Sequence, residues 1–88
     1  MINRDNLVAE GFYCAGVSVA ERQWPEAEKA LREVQQAIPG LKIKIPERWS
    51  YHNGGYYYKE ILLDHKYPGR AFEAANYIAG CISHIPCR

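Results

Sequence analysis

The sequence has no block of like charge and no uninterrupted apolar run of membrane-spanning length. Its three cysteines, Cys14, Cys81 and Cys87, follow no framework spacing. Each shortage excludes a class. Eleven Lys and Arg stand against ten Asp and Glu, for a formal charge of +1, so the chain lacks the basic excess with which small nucleic-acid binders hold a phosphate backbone. Nucleic acid is therefore a disfavoured partner, short of a local patch built from residues distant in sequence. An odd number of scattered thiols fits a reducing compartment better than a disulfide-stapled secreted domain. Asp5 stands where a signal peptide is basic, and Glu10 and Arg22 interrupt the mildly apolar stretch beyond it. Neither a secretion signal nor a membrane span is expected, and the expected compartment is the cytoplasm.

What is present describes a folded chain. Apolar and aromatic residues make up 48% of the 88 positions and charged residues 24%, which is too hydrophobic for disorder. A chain of this length supports one core, so residues 1–88 are read as a single small domain.

Between Pro25 and Ile38 the apolar residues Ala27, Leu31, Val34 and Ile38 recur every three or four positions, with Glu26, Lys29, Arg32, Glu33 and Gln36 between them. That period predicts a half-buried helix. Pro25 suits its first turn, where a missing N–H costs nothing, and Pro39-Gly40 ends it. Upstream, Val8, Phe12, Ala15 and Val19 share the helical spacing, with Asp5 as a candidate cap, so residues 7–20 are read as another helix. Gly11, Gly16, Val17 and Val19 argue against it, and a strand from Phe12 to Ala20 is the competing reading.

Ala15, Trp24, Ala27, Leu31, Val34 and Pro39 together resemble the helical hairpin of a single tetratricopeptide-type unit, over residues 12–39. Ala15 corresponds to the small residue of the first helix, Trp24 to the aromatic at the turn, and the rest to the second helix. The resemblance implies two antiparallel helices. Gly11, Cys14 and Ser18 replace the bulky first-helix residues, so a peptide-reading groove is not implied, and one unit cannot stack into a solenoid.

From Leu41 the period becomes two. Leu41, Ile43, Ile45, Trp49 and Tyr51 fall on odd positions, predicting one long strand bent or edge-placed at Pro46. Beyond the Asn53-Gly54-Gly55 turn, Tyr57, Ile61, Leu63 and Tyr67 keep the same parity. A two-residue loop would oppose like charges, whereas a three-residue loop sets Arg48 opposite Glu60 and Lys44 opposite Asp64, so a three-residue loop with a bulge is expected. Trp49, Tyr51, Tyr57, Ile61 and Leu63 then form one apolar face. After Tyr67-Pro68-Gly69, Ala71, Ala75, Ile78, Ile82 and Ile85 predict a last helix over Arg70–Ile85 whose opposite side is only weakly polar. The expected class is α+β, in the order α-α-β-β-α, with one layer of helices on the odd face of the hairpin.

Two clusters could carry chemistry. Cys81, His84 and Cys87 have metal-like spacing but no assured fourth ligand, and a core thiol with a solvated helix-end histidine is the favoured reading, so neither metal nor cofactor is expected. No nucleophile motif or paired carboxylate is present, and the chain is read as not an enzyme. The even face of the hairpin groups Arg48, Ser50, His52, Tyr56, Tyr58, Glu60 and Leu62 away from the expected core. Tyr beside Arg is the composition of binding hot spots, although cross-strand tyrosines also stabilise hairpins that bind nothing.

The function expected from these features is a small intracellular, non-enzymatic adaptor or inhibitor. It docks a protein partner through Arg48, His52, Tyr56, Tyr58 and Glu60, or through the last helix. One alternative is single-stranded nucleic-acid binding, with His52, Tyr56 and Tyr58 stacking bases and Arg48, Lys59 and Lys66 near the backbone. The other is a small metal- or thiol-dependent enzyme. A bare sheet edge also raises a homodimer with a joined four-stranded sheet, the second strand's edge being the less guarded.

Overall fold

A computed structural model describes residues 13–87. The chain runs β1 (Tyr13–Ala20), a 3-10 turn (Glu21–Gln23), α1 (Trp24–Ala37), β2 (Lys42–Lys44), β3 (Ser50–His52), β4 (Tyr56–His65) and α2 (Arg70–Ile82). The class is α+β, but the order is β-α-β-β-β-α, not α-α-β-β-α.

The difference begins at β1. Residues 13–20, expected as the end of a helix, form a strand paired antiparallel with β4 from Tyr13↔His65 to Ala20↔Tyr58. The remainder of that expected helix, with Val8 and Phe12, lies outside the described residues. Ala15, Val17 and Val19 also alternate with Cys14, Gly16 and Ser18. That period-two pattern, with two β-branched valines, outweighs the coincident helical spacing once β4 offers an edge to pair with. The helical hairpin implied by the tetratricopeptide resemblance is therefore not formed: Trp24 opens α1 after a strand and a 3-10 turn.

Helix α1 forms where its period places it. Ala27, Ala30, Leu31 and Val34 are buried along one stripe, and Pro25 sits in the first turn. The Ile38 N–H donates to the Val34 carbonyl at 2.8 Å, and Gly40 leaves the helix at φ +83°. In α2, Ala71, Ala74, Ala75, Ile78 and Ile82 are buried. This helix stops at Ile82, three residues short of the expected Ile85, and its other face is exposed.

The expected long first strand is broken. β2 and β3 lie end to end along the same side of β4, with Ile43↔Leu63 in one and Tyr51↔Tyr57 in the other. The break at residues 45–49 contains Pro46, which has no N–H for a ladder. Two extra residues are accommodated there, so Lys42 rather than Lys44 stands opposite Asp64, and Arg48 does not pair with Glu60. A slip of two preserves the faces. β4 is thus the central strand, in the order β1-β4-β2 with β3 also on β4. The edge of β4 that was expected to be open is filled by β1.

Both helices pack on the odd face, joining Ala15, Val19, Ile61 and Leu63 to Ala27, Leu31, Val34, Ala71, Ala74 and Ile78 in one core. Among the described residues, seven of the fifteen buried apolar side chains are alanines, so the layers approach closely. The helices do not reach the hairpin tip. Tyr51 and Tyr57, expected in the core, are 61% and 49% exposed. The even face carries the outward groups, with Gly16, Ser18, Glu60, Lys42 and Lys44 exposed. Among the described residues, no helix is long and apolar enough to cross a membrane.

Candidate functional site

The hairpin tip is built by a three-residue loop, as the register analysis expects. The Gly55 N–H donates to the His52 carbonyl at 2.9 Å. Gly55 sits at φ +92° while Asn53 and Gly54 keep negative φ, the pattern of a type I turn closed by a glycine bulge. This geometry puts the side chains of His52 and Tyr56 side by side at the strand ends.

His52 is fixed from three directions. Its Nδ1 accepts the Gly54 N–H at 2.8 Å, so the neutral ring carries its proton on Nε2. Its plane stacks on Tyr56 at 4.5 Å and 17°, and Tyr58 meets it edge-on at 6.2 Å and 77°. A side chain at position 54 would crowd this arrangement, because a Cβ there would stand 3.0 Å from Nδ1 and 3.3 Å from Tyr56 Cε1.

Beside these rings lies a hollow of about 300 Å³, lined by Ser18, Ala20, Gln23, His52, Tyr56, Tyr58, Glu60 and Cys87. Tyr56 and Tyr58 are half-buried, whereas His52 and Glu60 are exposed. Among the described lining residues Glu60 is the one with a formal charge, placed opposite Ser18 of β1. Four of the five residues expected at the binding face are therefore together. The fifth, Arg48, is exposed in the bend between β2 and β3 and does not line the hollow. The contributions of Ser18, Ala20, Gln23 and Cys87 escaped sequence reasoning, because they follow from β1 being a strand and from the chain end returning to it.

Gln23 holds that end in place. Its Oε1 accepts the Ala20 N–H at 2.9 Å, and its Nε2 donates to the carbonyls of Ile85 at 2.9 Å and Ile82 at 3.3 Å. This buried amide ties the end of β1 to the end of α2 and the turn beyond it, where the Ile82 carbonyl also accepts the Ile85 N–H at 3.0 Å.

On the opposite face, Lys59 is enclosed by tryptophans. Trp24 and Trp49 meet edge to face at 5.4 Å, and the Lys59 Nζ lies 5.3 Å and 4.8 Å from their ring centres. Cation–π attraction of this kind anchors the broken segment carrying Trp49 against α1. It also removes Lys59 from the face where the nucleic-acid reading needs it. Lys66 follows the end of β4, 6.0 Å from the Tyr67 ring.

The metal-spaced trio is dispersed. Cys81 is half-buried in α2, and Cys87 lines the hollow. Among the described residues, no group of three His, Cys, Asp or Glu side chains is placed to hold a metal ion. Cys81 instead neighbours Tyr77, whose hydroxyl donates to Glu33 Oε2 at 2.6 Å. The Glu33 carboxylate first, and Cys81 second, push the Tyr77 phenol up to about 12.

Comparison with protein-family models, with curated proteins and with solved structures finds no significant match.

Proposed function

We propose that this protein is a small cytoplasmic, non-enzymatic adaptor or inhibitor that docks a protein partner through the β3–β4 hairpin. The hollow of His52, Tyr56, Tyr58 and Glu60 receives a cationic side chain of that partner. The observation that supports this reading is the hollow's composition: among its described lining residues, aromatic rings stand beside a single carboxylate, with no lysine or arginine. An arginine guanidinium matches both parts, since it stacks on aromatic rings and forms paired hydrogen bonds to a carboxylate. A phosphate would meet the Glu60 charge, which argues against a nucleic-acid strand on this face.

The rings are already positioned by one another and by the Gly54 bond, so docking orders few side chains and little binding energy goes to entropy. Tyr51 and Tyr57, a T-shaped pair at 5.3 Å on the other side of the tip, extend the contact surface.

Affinity capture from the native host tests the reading. Wild-type protein should retain a protein partner that Glu60→Gln and Tyr58→Ala both fail to retain, with the fold of each variant checked by circular dichroism. A partner held equally by folded forms of all three would overturn it, as would nucleic acid being the only material captured.

A further inference from the structure

His52 lines the hairpin hollow with one of its ring nitrogens already committed. Nδ1 accepts the Gly54 N–H at 2.8 Å, and the ring stacks on Tyr56 at 4.5 Å. A protonated imidazole carries a hydrogen on each nitrogen and accepts at neither. Adding a proton therefore removes the Gly54 bond and sets two donors against each other at Nδ1. Histidine, as a residue type, makes this change between about pH 8 and about pH 5. Among the described residues, the ionisable groups that face His52 are Tyr56, Tyr58 and Glu60 on β4 and Cys87 at the chain end. Glu60 alone of these brings a formal charge, and the phenols and the thiol never take a positive one. Protonation of His52 sets +1 against the −1 of Glu60, so these lining residues go from one net negative charge to none.

We infer that His52 is a pH switch on this hollow: the neutral ring admits the partner's cationic side chain, and the protonated ring expels it. The inference rests on the docking reading given above and names how that site is regulated. Two effects of the one proton act in the same direction. The imidazolium competes with the guest cation for Glu60, and like charges in one hollow repel. An imidazolium stacked on Tyr56 is also itself a cation of the kind an aromatic wall attracts. In acid the hollow thus carries its own substitute for the guest. Arg48 does not line the hollow, so the change in charge falls on His52.

Nuclear magnetic resonance of the isotope-labelled full chain tests the inference with N-acetyl-arginine amide, a probe that has one cation and no group titrating near neutrality. At about pH 8 the probe should shift the His52, Tyr56 and Tyr58 amides saturably, and at about pH 5.5 its dissociation constant should be higher by about tenfold or more. In the free chain, the Gly54 amide shift should follow the titration of the His52 ring, since the same proton removes its acceptor. His52→Asn is the control. An asparagine carbonyl accepts the N–H two residues ahead and takes no proton, so its affinities in the two buffers should agree, whatever their size. Equal wild-type affinities in acid and base overturn the switch and leave the docking reading standing. So does an equal acid loss in His52→Asn, or a Gly54 amide that ignores the ring. No saturable shift of wild type in either buffer removes the docking reading itself, and the inference with it.

Discussion

At His65 both ring nitrogens are engaged: Nε2 donates to the Pro39 carbonyl at 2.8 Å, and Nδ1 accepts the Tyr67 N–H at 3.0 Å. The same local bond, from the N–H two residues ahead to Nδ1, orients His52 at the hairpin tip. One ring joins the end of β4 to the α1–β2 turn, and the other is available to a partner. Gln23 is the third polar group of this kind, and replacing it should be costly. Gln23→Leu leaves the Ala20 N–H and the Ile85 carbonyl without their partner, while the Ile82 carbonyl keeps the Ile85 N–H, so a loss of about 1–3 kcal/mol is expected in urea denaturation. These roles are illegible in the sequence because the partners of Gln23 in α2 and beyond lie 59 and 62 positions away. Tyr77 supplies a pH signature. Its folded value of about 12 exceeds the ordinary 10.0, so its stabilising hydrogen bond is fully present below about 10 and is lost as pH rises toward about 12. In an ultraviolet absorbance titration, the Tyr77 step should fall late, and Glu33→Gln should bring it to lower pH.

Among the elements, α1 and the core residues of β4 were legible because each carries one unambiguous period: three-to-four spacing for Ala27, Leu31 and Val34, and alternation for Ile61 and Leu63. β1 was not, since Ala15 and Val19 satisfy a helix stripe and an alternating strand alike. The arbiter was β4, whose free side needed a neighbour and whose pairing with β1 no local pattern reveals. The hairpin loop shows a different relation. Its three-residue length was expected from Arg48–Glu60 and Lys44–Asp64 pairing, yet neither pair forms, because Pro46 interrupts the strand and shifts the register beyond it. The turn itself sets the loop, through the left-handed Gly55. Gly55→Ala would place a Cβ at φ +92°, at a cost of about 1–2 kcal/mol by the left-handed penalty. Thermal unfolding should register that loss, and backbone amide shifts at His52 and Tyr56 should move with it.

For the whole molecule, the arrangement separates support from presentation. Two helices and the far half of β4 form an alanine-rich core, while the hairpin tip extends past the helices with aromatic groups on both faces. The hollow beside His52, Tyr56, Tyr58 and Glu60 combines β1, the hairpin and the chain end, so it exists only in the folded protein. Composition indicated the tyrosine face, but the grouping with Ser18 and Gln23 and the exclusion of Arg48 required the sheet order. The carboxylate of Glu60 is the centre of the functional proposal, and its neutral isostere isolates the charge from the shape. The most direct measurement is the equilibrium affinity of the captured protein partner for wild type and for Glu60→Gln, at matched thermal stability. Loss of a charge-assisted contact predicts binding weaker by about tenfold or more; equal affinities would contradict a cationic side chain seated in this hollow.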